Sequence, residues 1–536
     1  MAIVDVSVPA ELRRSALELD GSSLTIADAL EVARRGVTVR LSEVAGRRVA
    51  ASRELKRRLI ADEIPIYGVT TGYGDSAHRQ VSPAKAARLS RGVIDFMGCG
   101  TGPVAPPEVA RVTMLLRANC LAKGNSGVRV ELVQRLLDLL EHDVLPFIPE
   151  RGSCGASGDL APLSYVGRAL CGDGRVAVAG QACDAAEALS RLRLQPVVLE
   201  AKEGLALTNG TSFMSAFACL AVAGARELAN VADLLTAMAS QALLGNRGHF
   251  NAFLFDAAKP HPGMVASARN IRALLAGSQL AVDSEDLYEE GLQGADFIEL
   301  ERQIQDRYSI RCAPHVIGVL RDVIAWVQEW VTTEINASDD NPLFNVAGGR
   351  VESGGNFYGG HIGQAMDSLK VALANVCDLI DRQLELLVDE KFNAGLTPNL
   401  IPRLPADDPE AGLHHGFKGM QLVCSSMTAE AMKLSGPSTI HSRSTECHNQ
   451  DKVSMGTIAA RDARTILDIA QQIAAIHLIA CCQALELRGV ERASRPTIDV
   501  LHCVRERVAF LHRDRYLDVD IAAATDLIRS GALAAC

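Results

Sequence analysis

Several features that mark other classes of protein are scarce in this chain. Aromatic residues make up only 4% of its 536 residues, and the 54 lysines and arginines are outnumbered by 64 aspartates and glutamates. The resulting net charge of −10 argues against nucleic acid or an anionic membrane as the main partner. Because alanine and leucine are abundant where aromatics are few, the composition favours helix over strand.

The chain also lacks the cysteine spacings of zinc sites and of secreted proteins. Its 14 cysteines include no Cys-x-x-Cys pair, and residues 1–20 hold no apolar run of the kind found in a secretory signal. We therefore expect free thiols and a cytoplasmic protein. His441, Cys447 and His448 lie close together in the sequence, but no fourth ligand is evident, so we predict no metal.

The longest uncharged run covers residues 204–225 and is long enough to span a bilayer. Its first part, with Thr208, Asn209 and Thr211, is too polar for that role. We interpret the run as a buried loop that leads into a core helix.

The second part of the chain differs in pattern from the first. Glycine and proline are dense over residues 64–162, which predicts short helices separated by loops. Four later stretches are long, nearly free of proline, and carry apolar residues three and four positions apart: 212–244, 314–335, 361–392 and 453–487. Helices with such broad apolar faces need several neighbours, which predicts a central bundle. We place an N-terminal domain at 1–210 and the bundle with a C-terminal helical region at 211–536.

The most informative segment is Ala156-Ser157-Gly158. The amide nitrogen of Gly158 can attack the carbonyl carbon of Ala156, and closure of this ring with loss of two waters, one from Ser157, gives 4-methylideneimidazol-5-one (MIO). Glycine suits the attacking position because it has no Cβ and tolerates unusual backbone angles. An isolated Ala-Ser-Gly triplet is common, however, and by itself is more typical of a flexible surface loop.

The longer string over residues 152–164, Gly-Ser-Cys-Gly-Ala-Ser-Gly-Asp-Leu-Ala-Pro-Leu-Ser, resembles the signature of the aromatic amino acid ammonia-lyases and aminomutases. Residues 164–172 and 202–207 are most similar to the bacterial phenylalanine ammonia-lyases, and the resemblance runs from about residue 20 to about residue 530. It implies an all-α, aspartase/fumarase-like fold of long helices with a mixed helical N-terminal domain. It also implies an MIO cofactor without metal or nucleotide, and a homotetramer whose active sites are shared by three subunits.

The resemblance assigns roles to individual residues. Tyr67 would remove the β-proton, Asn209 would hold the MIO or the substrate amine, and Arg311 would pair with the substrate carboxylate, a geometry that suits arginine. The residues it places in catalysis are Tyr67, Ala156, Ser157, Gly158, Asn209, Tyr308 and Arg311. Those it places around the substrate are Phe96, Met97, Leu205, Gln305, Asn341, Phe357, Glu430 and Gln450.

The pair at positions 96 and 97 bears on the choice of substrate. Tyrosine lyases of this family resemble His-Leu there and histidine lyases resemble Ser-His, whereas Phe96 and Met97 offer no hydrogen-bond donor. A substrate hydroxyl buried without a partner costs about 1–3 kcal/mol. We therefore expect L-phenylalanine to be converted to trans-cinnamate and ammonia, ahead of tyrosine and histidine.

Several positions depart from the family pattern, which indicates either a modified substrate or drift: Tyr73, Ser90, Gly92, Asp95 and Gly360. An aromatic amino acid 2,3-aminomutase uses the same residues and stays open as the alternative. A dinucleotide site is disfavoured because the glycines at 72 and 74 are not part of an alternating strand–helix series. A serine hydrolase is disfavoured because the residues around Ser157 do not have the Gly-x-Ser-x-Gly spacing.

Overall fold

The computed structural model describes residues 16–287, 291–292, 294–300 and 303–534. Residues 1–15 of the predicted N-terminal domain lie outside the described residues. Within the described ranges the α-helices are, in chain order, α1 (Ile26–Ala33), α2 (Glu43–Ala61), α3 (Pro83–Met97), α4 (Pro107–Ala122), α5 (Val130–Glu141), α6 (Leu160–Leu170), α7 (Ala185–Arg191), α8 (Glu203–Thr208), α9 (Ser212–Ala242), α10 (Pro262–Leu275), α11 (Tyr308–Arg311), α12 (Ala313–Glu334), α13 (Gly360–Val388), α14 (Lys418–Leu434), α15 (Gly456–Arg488), α16 (Arg495–Arg505) and α17 (Asp518–Ser530).

The strands are short and form small separate sheets. In chain order they are β1 (Ala16–Leu19), β2 (Thr38–Leu41), β3 (Thr101–Val104), β4 (Val144–Pro146), β5 (Pro149–Arg151), β6 (Arg175–Val178), β7 (Gln181–Asp184), β8 (Leu343–Asn345) and β9 (Arg350–Glu352). β1 and β2 pair in parallel, whereas β3–β5, β4–β6–β7 and β8–β9 are antiparallel. The predicted all-α class is confirmed, because these sheets only connect and brace helices.

The four predicted long helices are present as α9, α12, α13 and α15. α15 packs along both α9 and α13, and α12 packs on α13. Apolar residues on several faces of these helices are buried, because each helix has more than one neighbour. Truncation of a fully buried side chain such as Leu235 to alanine would cost about 2–5 kcal/mol through lost contacts and the cavity left behind.

α9 and α15 are also long and apolar enough, by length and composition, to cross a membrane. In both, however, most of the apolar window is buried inside the protein, 78% for α9 and 83% for α15. This burial is the pattern of core helices, and the run at 204–225 leads into α9 as expected.

The segment before α9 is the mixed region that the glycine and proline content predicts. α1 begins with a capping box, in which Thr25 accepts from the amide of Asp28 and the Asp28 carboxylate accepts from the amide of Thr25. One apolar core runs through this region and the bundle together. The division at 210/211, between α8 and α9, stays a prediction.

Candidate active site

The tripeptide lies in a tight bend between β5 and α6. Ser157 has a φ of 54° and Gly158 a φ of 75°, and Gly155 and Gly158 face each other across an antiparallel bridge. A Cβ on Gly158 would lie 2.1 Å from the carbonyl oxygen of Gly210, so only glycine fits there. The bend therefore provides the two properties that ring closure requires of position 158, a tight turn and no side chain.

The Asn209–Gly210 segment is hydrogen-bonded to the tripeptide. The Ser157 carbonyl oxygen accepts from Asn209 Nδ2 at 3.1 Å and from the Gly210 amide at 3.2 Å. In the other direction, the Asp159 amide donates to the Gly210 carbonyl at 2.7 Å. Asn209 Oδ1 is buried, and no partner for it lies among the described residues. That oxygen therefore has no hydrogen-bond donor within the described part of the chain.

Three helices begin next to the tripeptide, and Asp159 joins them. Asp159 immediately precedes α6, its Oδ2 accepts from the Met214 amide in the first turn of α9 at 2.8 Å, and its Oδ1 accepts from Thr457 in the first turn of α15. Burial raises the pKa of Asp159 to about 6, although these hydrogen bonds oppose the rise. The N-termini of helices carry partial positive charge, so the tripeptide lies in a field that favours negative charge.

A cavity of about 530 Å³ opens in front of the tripeptide. Its size is suited to a small aromatic molecule, and most of its wall is apolar. The predicted site residues that line it are Tyr67, Phe96, Met97, Ala156, Ser157, Gly158, Leu205, Asn209, Phe357 and Gln450.

Tyr67 reaches the cavity from a loop rich in glycine. Its hydroxyl oxygen accepts a hydrogen bond from the Gly74 amide at 3.0 Å. Tyr73, in the same loop, donates to the Leu89 carbonyl at 3.0 Å, and burial together with the neighbouring Tyr67 raises the pKa of Tyr73. Tyr73 therefore stays a neutral phenol in the cavity wall.

The wall that the sequence links to substrate choice belongs to α3. Phe96 packs near Tyr73, with 6.0 Å between the ring centroids, and Met97 lies beside it in the cavity. Asp95 is exposed and pairs with Arg91 at 2.9 Å, and it does not line the cavity. Ser90, another departure from the family pattern, accepts from the Gly204 amide at 2.7 Å and so fixes α3 against α8.

Gln450 approaches the tripeptide from the loop before α15. Its Nε2 donates to Ser157 Oγ at 3.1 Å, and its Oε1 accepts from Thr445 at the same distance. Three consecutive residues of this loop, 446–448, have positive φ angles, which non-glycine residues rarely adopt. The strained turn places Glu446 in the cavity wall, where its carboxylate accepts from the Asp75 amide at 2.8 Å.

Residues 24–506 match the family of aromatic amino acid lyases. The chain belongs to this family. It is 39% identical to a histidine ammonia-lyase of Caldanaerobacter subterraneus over 515 residues, which cover 96% of each chain. It is also 39% identical to a tyrosine ammonia-lyase of Cupriavidus metallidurans over 523 residues, again 96% of each. The crystal structure of a tyrosine aminomutase from Streptomyces globisporus superposes with a TM-score of 0.92 at 36% identity, covering 97% of both chains.

These matches confirm the predicted lyase and aminomutase family. The expected closeness to bacterial phenylalanine ammonia-lyases is not confirmed, because the relatives named above act on histidine or tyrosine.

Some of the predicted site residues of this lyase lie outside the cavity of the single chain. Tyr308 is 71% exposed, Gln305 is exposed, and Arg311 donates to the Asp306 carbonyl at 3.1 Å. Asn341 is buried, and its Oδ1 accepts from the Gly354 amide at 2.8 Å, next to a second cavity. None of these residues contacts the tripeptide cavity within the described part of the chain.

Glu430 also lies outside the tripeptide cavity of the single chain. It lies exposed on α14 and does not line the tripeptide cavity. Among the described residues of this chain, the carboxylate in the cavity wall is that of Glu446, which the sequence reasoning missed. Its position four residues before Gln450 was the available signal, since both residues belong to one loop.

Proposed function

We propose that this lyase eliminates ammonia from an aromatic L-amino acid by means of an MIO formed from Ala156, Ser157 and Gly158. One observation carries the proposal: the tripeptide is bent and hydrogen-bonded to Asn209 and Gly210 in the wall of a largely apolar cavity that also exposes Tyr67. When formed, the MIO supplies an electrophilic methylidene group to which an amine can add. The unpaired Oδ1 of Asn209 supports this assignment, because it would accept a hydrogen bond from the substrate amine.

The chain's own residues would carry out the remaining steps. Tyr67 would take the β-proton, since its hydroxyl already accepts a hydrogen bond from Gly74 and lines the cavity. The two N–H donors on the Ser157 carbonyl would withdraw electron density from the group formed there. Leu205 and Phe357 would pack on the substrate and exclude water.

Phenylalanine is the substrate that we propose first. Phe96 and Met97 add no hydrogen-bond donor to the cavity wall, and the charge of Asp95 is paired with Arg91. Tyrosine is a second candidate, because the Tyr73 hydroxyl keeps a lone pair after it donates to Leu89 and would accept from a substrate phenol. An unpaired buried hydroxyl costs about 1–3 kcal/mol, so this one contact would decide between the two.

The active site would be completed by neighbouring copies in a homotetramer. Arg311 and Tyr308 lie away from the cavity in one chain, yet a substrate carboxylate needs a cationic partner. Exposed apolar residues on α13 and α14, among them Val371 (50% exposed) and Leu422 (64%), provide a surface that a second copy would cover. We place this homotetramer in the cytoplasm.

Aminomutase activity is the alternative reaction. The structural similarity to a tyrosine aminomutase favours this alternative. In that reaction the cavity would retain the alkenoate while ammonia returns to the β-carbon. The two reactions differ in their products, so identification of the amino acids formed separates them.

The test is a product assay with phenylalanine, tyrosine and histidine, combined with the intact mass of the purified chain. We expect a mass lower by two waters, cinnamate from phenylalanine, and a smaller yield of coumarate from tyrosine. Ser157→Ala should abolish both the activity and this mass difference, whereas Ser190→Ala, an exposed serine at the end of α7, should change neither. A wild-type chain of unreduced mass would refute the proposal, and β-amino acid as the main product would replace lyase by aminomutase.

A further inference from the structure

A buried ion pair lies behind the Asn209–Gly210 segment and takes no part in the proposed reaction. It joins Arg117 of α4, which is completely buried, to Asp339, in the loop after α12, which is 4% exposed. Arg117 Nη2 donates to Asp339 Oδ1, and Nη1 donates to the carbonyl oxygen of Asn209. Desolvation makes such a pair a weak source of stability, so the geometry that it fixes is the property to explain.

Gly210 is held between this ion pair and the tripeptide. A Cβ on Gly210 would lie 2.6 Å from Arg117 Nη1 and 2.8 Å from the Asp339 carbonyl oxygen. On the opposite side, a Cβ on Gly158 would lie 2.1 Å from the Gly210 carbonyl oxygen. Gly210 thus contacts the ion pair on one side and Gly158 on the other. A displacement of the ion pair would therefore move Gly210 and, through it, Gly158.

The same ion pair fixes the end of the segment. Asp339 Oδ2 accepts from the Thr211 amide at 2.8 Å and from the Thr211 hydroxyl at 2.7 Å. Arg117 therefore anchors the carbonyl of Asn209, and Asp339 anchors Thr211, so that the residue between them cannot retreat from the tripeptide.

We propose that Arg117 and Asp339 are positioning residues for ring closure. They hold residues 209–211 against the tripeptide, so that the bend stays tight enough for the Gly158 nitrogen to reach the Ala156 carbonyl carbon. Closure forms the bond between these two atoms and releases the Ala156 oxygen as one water, which carries the hydrogens of the Gly158 and Ser157 amides and leaves a C=N bond. Ser157 then loses its hydroxyl with its α-hydrogen as the second water. This inference rests on the proposed MIO. Misplacement of reacting groups by about 1 Å slows a reaction by ~10²-fold, so even a small retreat of Gly210 would delay maturation.

The test follows the intact mass of freshly synthesised protein over time in wild type, Arg117→Lys and Asp339→Asn. Both variants keep side chains of similar size. Arg117→Lys can no longer donate from two guanidinium nitrogens at once, and Asp339→Asn loses the negative charge. We expect folded protein with helical circular dichroism in which loss of the two waters is slowed by ~10-fold or more. Asp233→Asn is the matched control, because Asp233 is also in a buried ion pair, with Arg321 at 2.6 Å. It lies 21 residues beyond Ser212 on α9 (233 − 212), about 31 Å along the helix, and should mature at the wild-type rate.

Three other outcomes would contradict the inference. If wild type and both variants lose the two waters at the same rate, the inference is wrong and the proposed function stands. If the variants do not fold while Asp233→Asn does, the ion pair serves folding and the inference is equally wrong. If the wild-type chain never loses the two waters, the proposed function fails together with this inference.

Discussion

Two sets of predicted site residues behave differently in this fold. Tyr67, the tripeptide, Asn209 and Gln450 meet in one cavity, whereas Tyr308, Arg311 and Asn341 lie outside it. The first set, which we call the electrophile half, is held by buried hydrogen bonds within one chain. In the second set, the carboxylate half, Tyr308 is exposed, Arg311 is half-buried and Asn341 lines a different cavity. One polypeptide therefore supplies all the contacts around the tripeptide that we propose to form the MIO, whereas binding of an amino acid carboxylate would require a neighbouring copy.

The largest effect should come from removal of the proposed base in the electrophile half. Tyr67→Phe is expected to lower kcat/KM by ~10²–10⁴-fold, about 3 kcal/mol or more, because the oxygen that would take the β-proton is lost while the ring is kept. The measurement is alkenoate formation by the folded variant. Tyr516→Phe, at a tyrosine that is 90% exposed, is the control. Near-normal turnover by the Tyr67 variant would remove this residue from the mechanism.

The carboxylate half is tested by Arg311→Lys. We expect KM to rise so that kcat/KM falls by ~10–100-fold, because lysine cannot form the bidentate contact with a carboxylate. Arg307→Lys, a change four residues earlier in an exposed position, should have no comparable effect.

Sharing of the site between copies predicts complementation of two inactive chains. Co-expression of Tyr67→Phe with Arg311→Met should restore part of the activity, since some sites would then combine an intact half from each chain. Absence of any recovery in assembled mixed oligomers would mean that both halves belong to the same chain.

A smaller effect should separate the two glutamates. Glu446→Gln is expected to lower kcat/KM by ~10-fold, because the charge-assisted contact with the Asp75 amide, next to the Gly74 that binds Tyr67, is weakened. Glu430→Gln should have the smaller effect, because within one chain this exposed side chain on α14 lies outside the cavity. The reverse result would show that a neighbouring copy brings Glu430 to the substrate after all.

The smallest effect concerns stability behind the electrophile half. The Glu334 carboxyl lies 2.7 Å from the Thr211 hydroxyl oxygen, and burial raises the pKa of Glu334 from 4.5 to about 7. The folded chain therefore binds this proton more tightly than the unfolded chain, and the stabilisation is full below pH 4.5 and declines as the pH rises to about 7.

Urea unfolding at pH 5 and pH 7.5 measures this dependence. Wild type should lose about 1–3 kcal/mol more of its unfolding free energy over this interval than Glu334→Gln does. Glu329→Gln, at an exposed position on the same helix, should keep the wild-type dependence. Equal slopes for wild type and Glu334→Gln would contradict the raised pKa.

The family, the helical class and the position of the long helices could all be predicted from the sequence, because they depend on local pattern. Apolar spacing places α9, α12, α13 and α15 within a few residues of their observed ends, and the string around Ser157 is long enough to indicate a single family. Which carboxylate of the chain lines the cavity depends on packing and could not be predicted in this way. The sequence alone does not distinguish Glu430 from Glu446 as a carboxylate of the site. The strained turn at residues 446–448 directs Glu446 into the cavity, whereas Glu430 lies on an exposed face of α14. The ion pair of Arg117 with Asp339 could likewise not be predicted from the sequence, because the two residues are 222 positions apart. Only the packing of α4 against the loop after α12 brings them together.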